Sequence, residues 1–307
     1  MGIFFKNYES AGSGIAKNAP KKKGIALFWD IVGRKFWKLM ALNLLYMLFF
    51  LPLIIMLPVM SIFKNNYEAS IASMIVLLVI FAIFIGPATA GMTKVIRLFF
   101  INKHSFIGRD FFNGFKSNFK RAALIGFFDC LIIASAFAAF NVYPALAMQT
   151  ESKLLYIPMI ITFSLFLVIV IMNHYIFLMM TATNLSMKNL FKNSFALSFV
   201  AIKQNLLVFA LILIVLILMF LLRIYVLPVF LMLMPFFPAA FLCLLNCFIS
   251  YPVIQKYVIN PYYASIGEVN PELVEDTPDE NERIFEDMGG KEKPIDGRKK
   301  GKGKHIS

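Results

Sequence analysis

The chain has 307 residues, 60% of them hydrophobic and only 15% charged, with a formal net charge of +13. Its charge is crowded into short stretches between long apolar runs. That pattern excludes an ordinary water-soluble domain and predicts a polytopic helical membrane protein, because only a helix satisfies its own backbone hydrogen bonds in lipid.

Residues 1–24 form a basic N-terminal segment. Next, Ile25, Phe28, Trp29, Val32, Phe36 and Leu39 fall within one arc at 100° per residue, with Asp30, Arg34 and Lys38 opposite. An amphipathic helix at the headgroup boundary is predicted there, and it holds both tryptophans, Trp29 and Trp37. It leads into a first span at 39–60. That run begins late and is too long for a signal h-region of about 7–15 residues, so no cleavable signal peptide is expected. The second span, 71–93, is interrupted by Gly86-Pro87, where proline removes a backbone donor and invites a kink or break. Broken helices can form transporter sites, but ordinary proline kinks are commoner in membrane helices.

The amphipathic pattern returns before the third span, 122–143. Phe111, Phe112, Phe115 and Phe119 take the places of Phe28, Trp29, Val32 and Phe36, and Arg121 that of Lys38. The fourth span is 154–181. A weaker third copy, with Phe191, Phe195, Phe199 and Ile202 on one arc, precedes the fifth span at 206–222. The sixth is 226–254. A single helix over 206–254 would be about 74 Å long, too long for one crossing. A tight turn around 223–228 divides it better, although the turn could lie nearer Pro235. The expected fold is therefore all-α: six transmembrane helices as three hairpins, each preceded by an interfacial amphipathic helix. This membrane domain covers 25–260. The tail, 261–307, carries an acidic block at 268–287 and a basic block at 291–304, and is expected to be disordered and cytoplasmic.

Of the 30 Lys and Arg residues, only Lys64, Lys153 and Arg223 fall on one side of these spans. The positive-inside rule then puts both termini in the cytoplasm. The same asymmetry explains the net charge through topology and anionic lipid headgroups, so the bilayer is the expected partner and nucleic acid is not.

Few polar groups enter the spans. Asp129 lies about 10 Å into the third, and His174 lies at a similar depth before the fourth ends. Across a hairpin turning near 149–152 the two come level, with Asn173 beside His174 and Asn246 in the sixth span. An intramembrane charge costs about 2.5–3.5 kcal/mol, so it usually faces protein or water. These residues read either as a polar chamber open toward the cytoplasm or as interhelical hydrogen bonds worth about 0.6 kcal/mol each. In the first reading Asp129 and His174 face each other. An aspartate beside a histidine is no catalytic constellation without a nucleophile and an oxyanion site. No P-loop, dinucleotide fingerprint, HExxH or nucleophile elbow is present. Cys130, Cys243 and Cys247 all lie in spans, where a thiol is usually an apolar filler. No metal, cofactor or enzymatic activity is expected.

The stretch Phe28-Trp29-Asp30-Ile31-Val32-Gly33-Arg34-Lys35-Phe36-Trp37-Lys38-Leu39, followed by Asn43-Leu44-Leu45 and Leu51-Pro52, resembles the opening of the YesL-like family. Gly86-Pro87-Ala88-Thr89-Ala90-Gly91 and Asp110-Phe111-Phe112-Asn113-Gly114-Phe115-Lys116-Ser117-Asn118-Phe119-Lys120 resemble its next two blocks. The likeness covers roughly 25–260 at the level of spans, and its specific motifs only the first half. A longer first hairpin, including 61–70, and the charged tail depart from it. The resemblance implies a bacterial plasma-membrane protein containing a domain of unknown function. It also suggests a link to sugar uptake, with a carbohydrate ABC transporter as partner. The expected role is an accessory or regulatory one, with a small-solute transporter as the alternative. A transporter should show a polar path at mid-membrane. An accessory protein should show a packed bundle and a docking surface.

Overall fold

The computed structural model describes residues 24–101 and 103–272, so residues 1–23 and most of the charged tail lie outside the described region. Every regular element in it is a helix, and six helices are long and apolar enough to cross a membrane. The chain is a multi-pass, all-α membrane protein.

The first crossing runs from α1 (Gly24–Met47) through a 3-10 turn at Leu48–Phe50 into α2 (Leu51–Ile62). Pro52 falls at the start of α2, where a missing N–H costs nothing. The predicted interfacial helix at 25–38 is thus continuous with the first span. Its apolar arc is also used differently from the expectation: Phe28 packs edge-on against Phe241 and Phe248 of the last crossing, while Trp29 and Trp37 stay exposed. Asn66 caps α3 (Tyr67–Phe100), its side chain accepting from the Ala69 N–H at 3.1 Å.

The second copy of the amphipathic pattern is a separate helix, α4 (Ile107–Ser117). It breaks at Asn118, whose amide donates to the Gly114 carbonyl, and α5 (Phe119–Gln149) follows. After a turn with Glu151 at φ +53° the chain returns as α6 (Tyr156–Ala182). The third copy is α7 (Met187–Val200), capped by Ser186 and leading into α8 (Ile202–Tyr225). Its aromatic arc, Phe191, Phe195 and Phe199, is exposed, and Leu190, Ser194 and Leu197 face the core instead.

The expected turn near 223–228 is present at Val226, but the sixth crossing does not begin there. The seven-residue α9 (Leu227–Leu233) ends in a second turn at 234–237, and the long helix α10 (Pro238–Ile254) starts after it. Asn43 of α1 fixes this second turn. Its side chain donates to the Pro235 carbonyl at 2.7 Å and to that of Met234 at 3.4 Å, and accepts from the Ala240 N–H at 2.8 Å. A residue of α1 thereby caps α10. A π-helical turn, Gln255–Ile259, carries α10 into α11 (Asn260–Ser265), and packed structure continues to Glu272, past the boundary expected at 260.

At the centre stands α3, in contact with α1, α2, α4, α5, α6 and α10. The Gly86-Pro87 pair does not break it: the helix is continuous over 34 residues. The glycine serves packing. A Cβ at Gly86 would stand 1.9 Å from the Ala122 carbonyl oxygen, and one at Gly126 would stand 2.6 Å from the Gly86 nitrogen. Helices α3 and α5 therefore touch backbone to backbone, the close approach that small residues permit in lipid. One turn further on, Gly91 receives Phe111 and Gly114 of α4. The two motif blocks at 86–91 and 110–120 are the two sides of one joint.

Candidate functional site at the basic end of the bundle

Three of the intramembrane polar residues, Asp129, Asn173 and Asn246, join helices. Asn173 donates to Asp129 Oδ1 at 2.7 Å, linking α6 to α5. Asn246 donates to the His174 carbonyl at 3.1 Å and accepts from the Ser250 hydroxyl at 3.0 Å, linking α10 to α6. The expected facing of Asp129 and His174 is not what forms, and no hydrogen bond or ion pair joins them. Residues 173 and 174 are successive on a helix and point about 100° apart, so only one can reach α5. That one is Asn173. His174 turns inward, is 6% exposed, and its Nδ1 has no hydrogen-bond partner; Asn173 Oδ1 has none either.

A further pair escaped the sequence reading. The Tyr175 hydroxyl donates to Asn205 Oδ1, and the Asn205 amide donates to the Leu197 and Ser198 carbonyls at 3.1 and 2.9 Å. Asn205 thus satisfies the last carbonyls of α7 from inside α8, a capping role. Its only signal in the sequence is an amide at the start of an apolar run.

Polar surface gathers at the end where α3 finishes, α5 begins and α6 finishes. Lys38 donates to the Ser105 carbonyl at 3.1 Å, tying α1 to the α3–α4 connection, and Arg121 donates to the Leu185 carbonyl at 3.0 Å, tying α5 to the α6–α7 linker. Arg97 donates to the Tyr251 hydroxyl at 3.1 Å and pairs with Glu272, which also accepts from Tyr251 and from the Gln255 amide. Three donors from α3, α10 and the π-helical turn converge on one carboxylate. Gly267, at φ +73°, turns the chain back after α11 so that Glu272 can reach them. Charge-assisted bonds of this kind are the stronger class.

Two cavities open here, one on each side of the α6–α7 linker. The larger, ≈ 530 Å³, is bounded by Arg97, Lys103, Asn184, Tyr262, Asn270 and Glu272. The smaller, ≈ 230 Å³, lies among Lys94, Asn118, Arg121, Thr181, Thr183 and Asn184. Among the described residues no group of three His, Cys, Asp or Glu side chains is placed to hold a metal. The arrangement offers amides, hydroxyls and cations to a polar or anionic group.

A family model described as "Protein of unknown function, DUF624" matches residues 39–142. No curated protein and no solved structure matches the chain. The matched stretch runs from Leu39 past Gly126, so it contains the whole glycine joint between α3, α4 and α5; over that stretch the chain is similar to a family of unknown function.

Proposed function

We propose that this protein is a non-enzymatic accessory or regulatory component of the bacterial plasma membrane, linked to carbohydrate uptake and partnered by a carbohydrate ABC transporter. Both its termini lie in the cytoplasm, as the distribution of Lys and Arg favours. The observation that carries the reading is the division of polar groups. Asn173, Asn205 and Asn246 inside the bundle bond side chains or backbone of neighbouring helices, while the two cavities lie at the basic end, where a cytoplasmic partner would reach them. The resemblance to the YesL-like family supplies the link to sugars. Loss of the protein should lower uptake of a labelled oligosaccharide, and the protein should co-purify with a transporter in mild detergent. Unchanged uptake together with no co-purifying transporter would refute the accessory role. Cysteines placed at Asn66 and Gly290 should label from outside and inside respectively; labelling of both from one side would overturn the orientation.

One observation favours the second reading, a small-solute transporter: the buried His174 Nδ1 and Asn173 Oδ1 lack partners. Vesicles containing the pure protein should then support solute counterflow by themselves, which an accessory protein would not.

A further inference from the structure

We infer that the smaller cavity, between α3, the α4–α5 break and the α6–α7 linker, is a binding site for a phosphate group, held by Lys94 and Arg121. The inference is independent of any role in sugar uptake.

Two half-buried cations line one cavity of ≈ 230 Å³, and no carboxylate lines it among the described residues. Lys94 makes no hydrogen bond or ion pair there, and its stem packs against Gly114. Arg121 uses one guanidinium nitrogen on the Leu185 carbonyl, which fixes the group in place and leaves further donors for a ligand. The Asn184 side chain, which also makes no hydrogen bond, completes the polar wall together with Asn118.

The same helix provides a comparison. Arg97 stands one turn beyond Lys94, and its charge is met by Glu272. Among the described residues Lys94 and Arg121 have no such counter-charge, although partial burial penalises an unpaired cation. A phosphate group presents several acceptor oxygens in a tetrahedral array and can meet both cations at once, whereas a carboxylate presents two oxygens in one plane. The volume falls below the roughly 300–1,000 Å³ typical of pockets for drug-sized molecules, so a group rather than a large ligand is accommodated. Lys94 directly follows the apolar part of its span and Arg121 directly precedes that of the next. That level is where phospholipid phosphates lie, and it is also open to phosphate esters in water. The shared chemistry is the phosphate.

The test uses the full chain, purified in a phosphate-free sugar detergent and, separately, in nanodiscs. Inorganic phosphate exchanged for chloride at constant ionic strength should raise the melting temperature in detergent if the source is soluble. Phosphatidylglycerol added to nanodiscs of a phosphate-free galactolipid should raise it if the source is a lipid headgroup. A response in both arms assigns recognition to the phosphate itself. In whichever arm responds, Lys94→Gln should weaken the apparent affinity about tenfold or more, as loss of a charge-assisted hydrogen bond predicts. Lys64→Gln, at the opposite end of the bundle, should leave it unchanged. Because Lys94 bonds nothing in the protein, its replacement does not unfold the bundle in the way that Arg121→Gln could. No shift from either ligand, or an unaltered response in Lys94→Gln, overturns the assignment.

Discussion

The half of the bundle near the basic end and the half away from it are built on different rules. Near the basic end, α3 buries residues from Ala82 to Phe99 and α6 from Met172 to Met180. Glycines let backbones touch, and amides cross from helix to helix. Away from it, α2 buries nothing, and α8 buries only Asn205 and Val208, both near its start. Ile75, Val76, Phe137, Ile161 and Phe220 are exposed there, as lipid-facing side chains are. The outer half is nonetheless at least as apolar in sequence. In lipid, hydrophobicity gives helices no reason to associate, so cohesion follows where small residues and hydrogen bonds are placed.

The severest challenge to that contrast is Gly86→Leu. With a Cβ 1.9 Å from a backbone oxygen, neither side chain nor rotamer change can relieve the clash, and the loss should reach or exceed the ~1–3 kcal/mol typical of overpacking. Recovery of monodisperse protein from detergent should fall steeply. A normal yield would mean that α3 and α5 do not meet as described.

Asn43→Ala comes next. It removes three hydrogen bonds at the α9–α10 turn and strands a buried N–H, a loss of about 1–3 kcal/mol. Hydrogen exchange over 234–241 should quicken while that of α6 stays slow. Uniform quickening would show that the residue supports the whole bundle rather than one turn.

Asp129→Asn should cost far less, on the order of 0.6 kcal/mol, because asparagine keeps an oxygen that accepts from Asn173. Thermal melting should barely distinguish it from Cys130→Ala. A large, selective loss would instead demand a charge at this position. The smallest effect belongs to the outer half: Phe137→Ala, at a residue 73% exposed, should stay within about 0.5 kcal/mol of the parent in a melting curve. A larger loss there would mean that the outer half is held together as well.

Hydropathy made the six crossings legible in number and order, although the sixth starts at Pro238 rather than near 226. Contacts between helices were harder to read. Gly86-Pro87 looks like a break because local propensity treats both residues as helix breakers, whereas the bundle needs the missing Cβ at Gly86 and tolerates Pro87 within α3. Depth along a helix can be counted, so Asp129 and His174 were placed at one level; rotation about the helix axis cannot, and it put Asn173 in the bond. The ion pair of Arg97 with Glu272 joins residues 175 apart, one of them in a segment whose composition suggested only a solvated tail. Nothing local announces such a partner.

The clasp at Asn43 also sets an order of events during synthesis. Its amide is made 197 residues before the Ala240 N–H it accepts from, an interval of roughly 10–40 s at 5–20 residues per second. Throughout that interval a polar side chain on the nascent first helix has none of the partners that later enclose it. Any chain terminated before residue 234 keeps that amide open permanently, so an unfinished product differs from a finished one at a position laid down near its beginning.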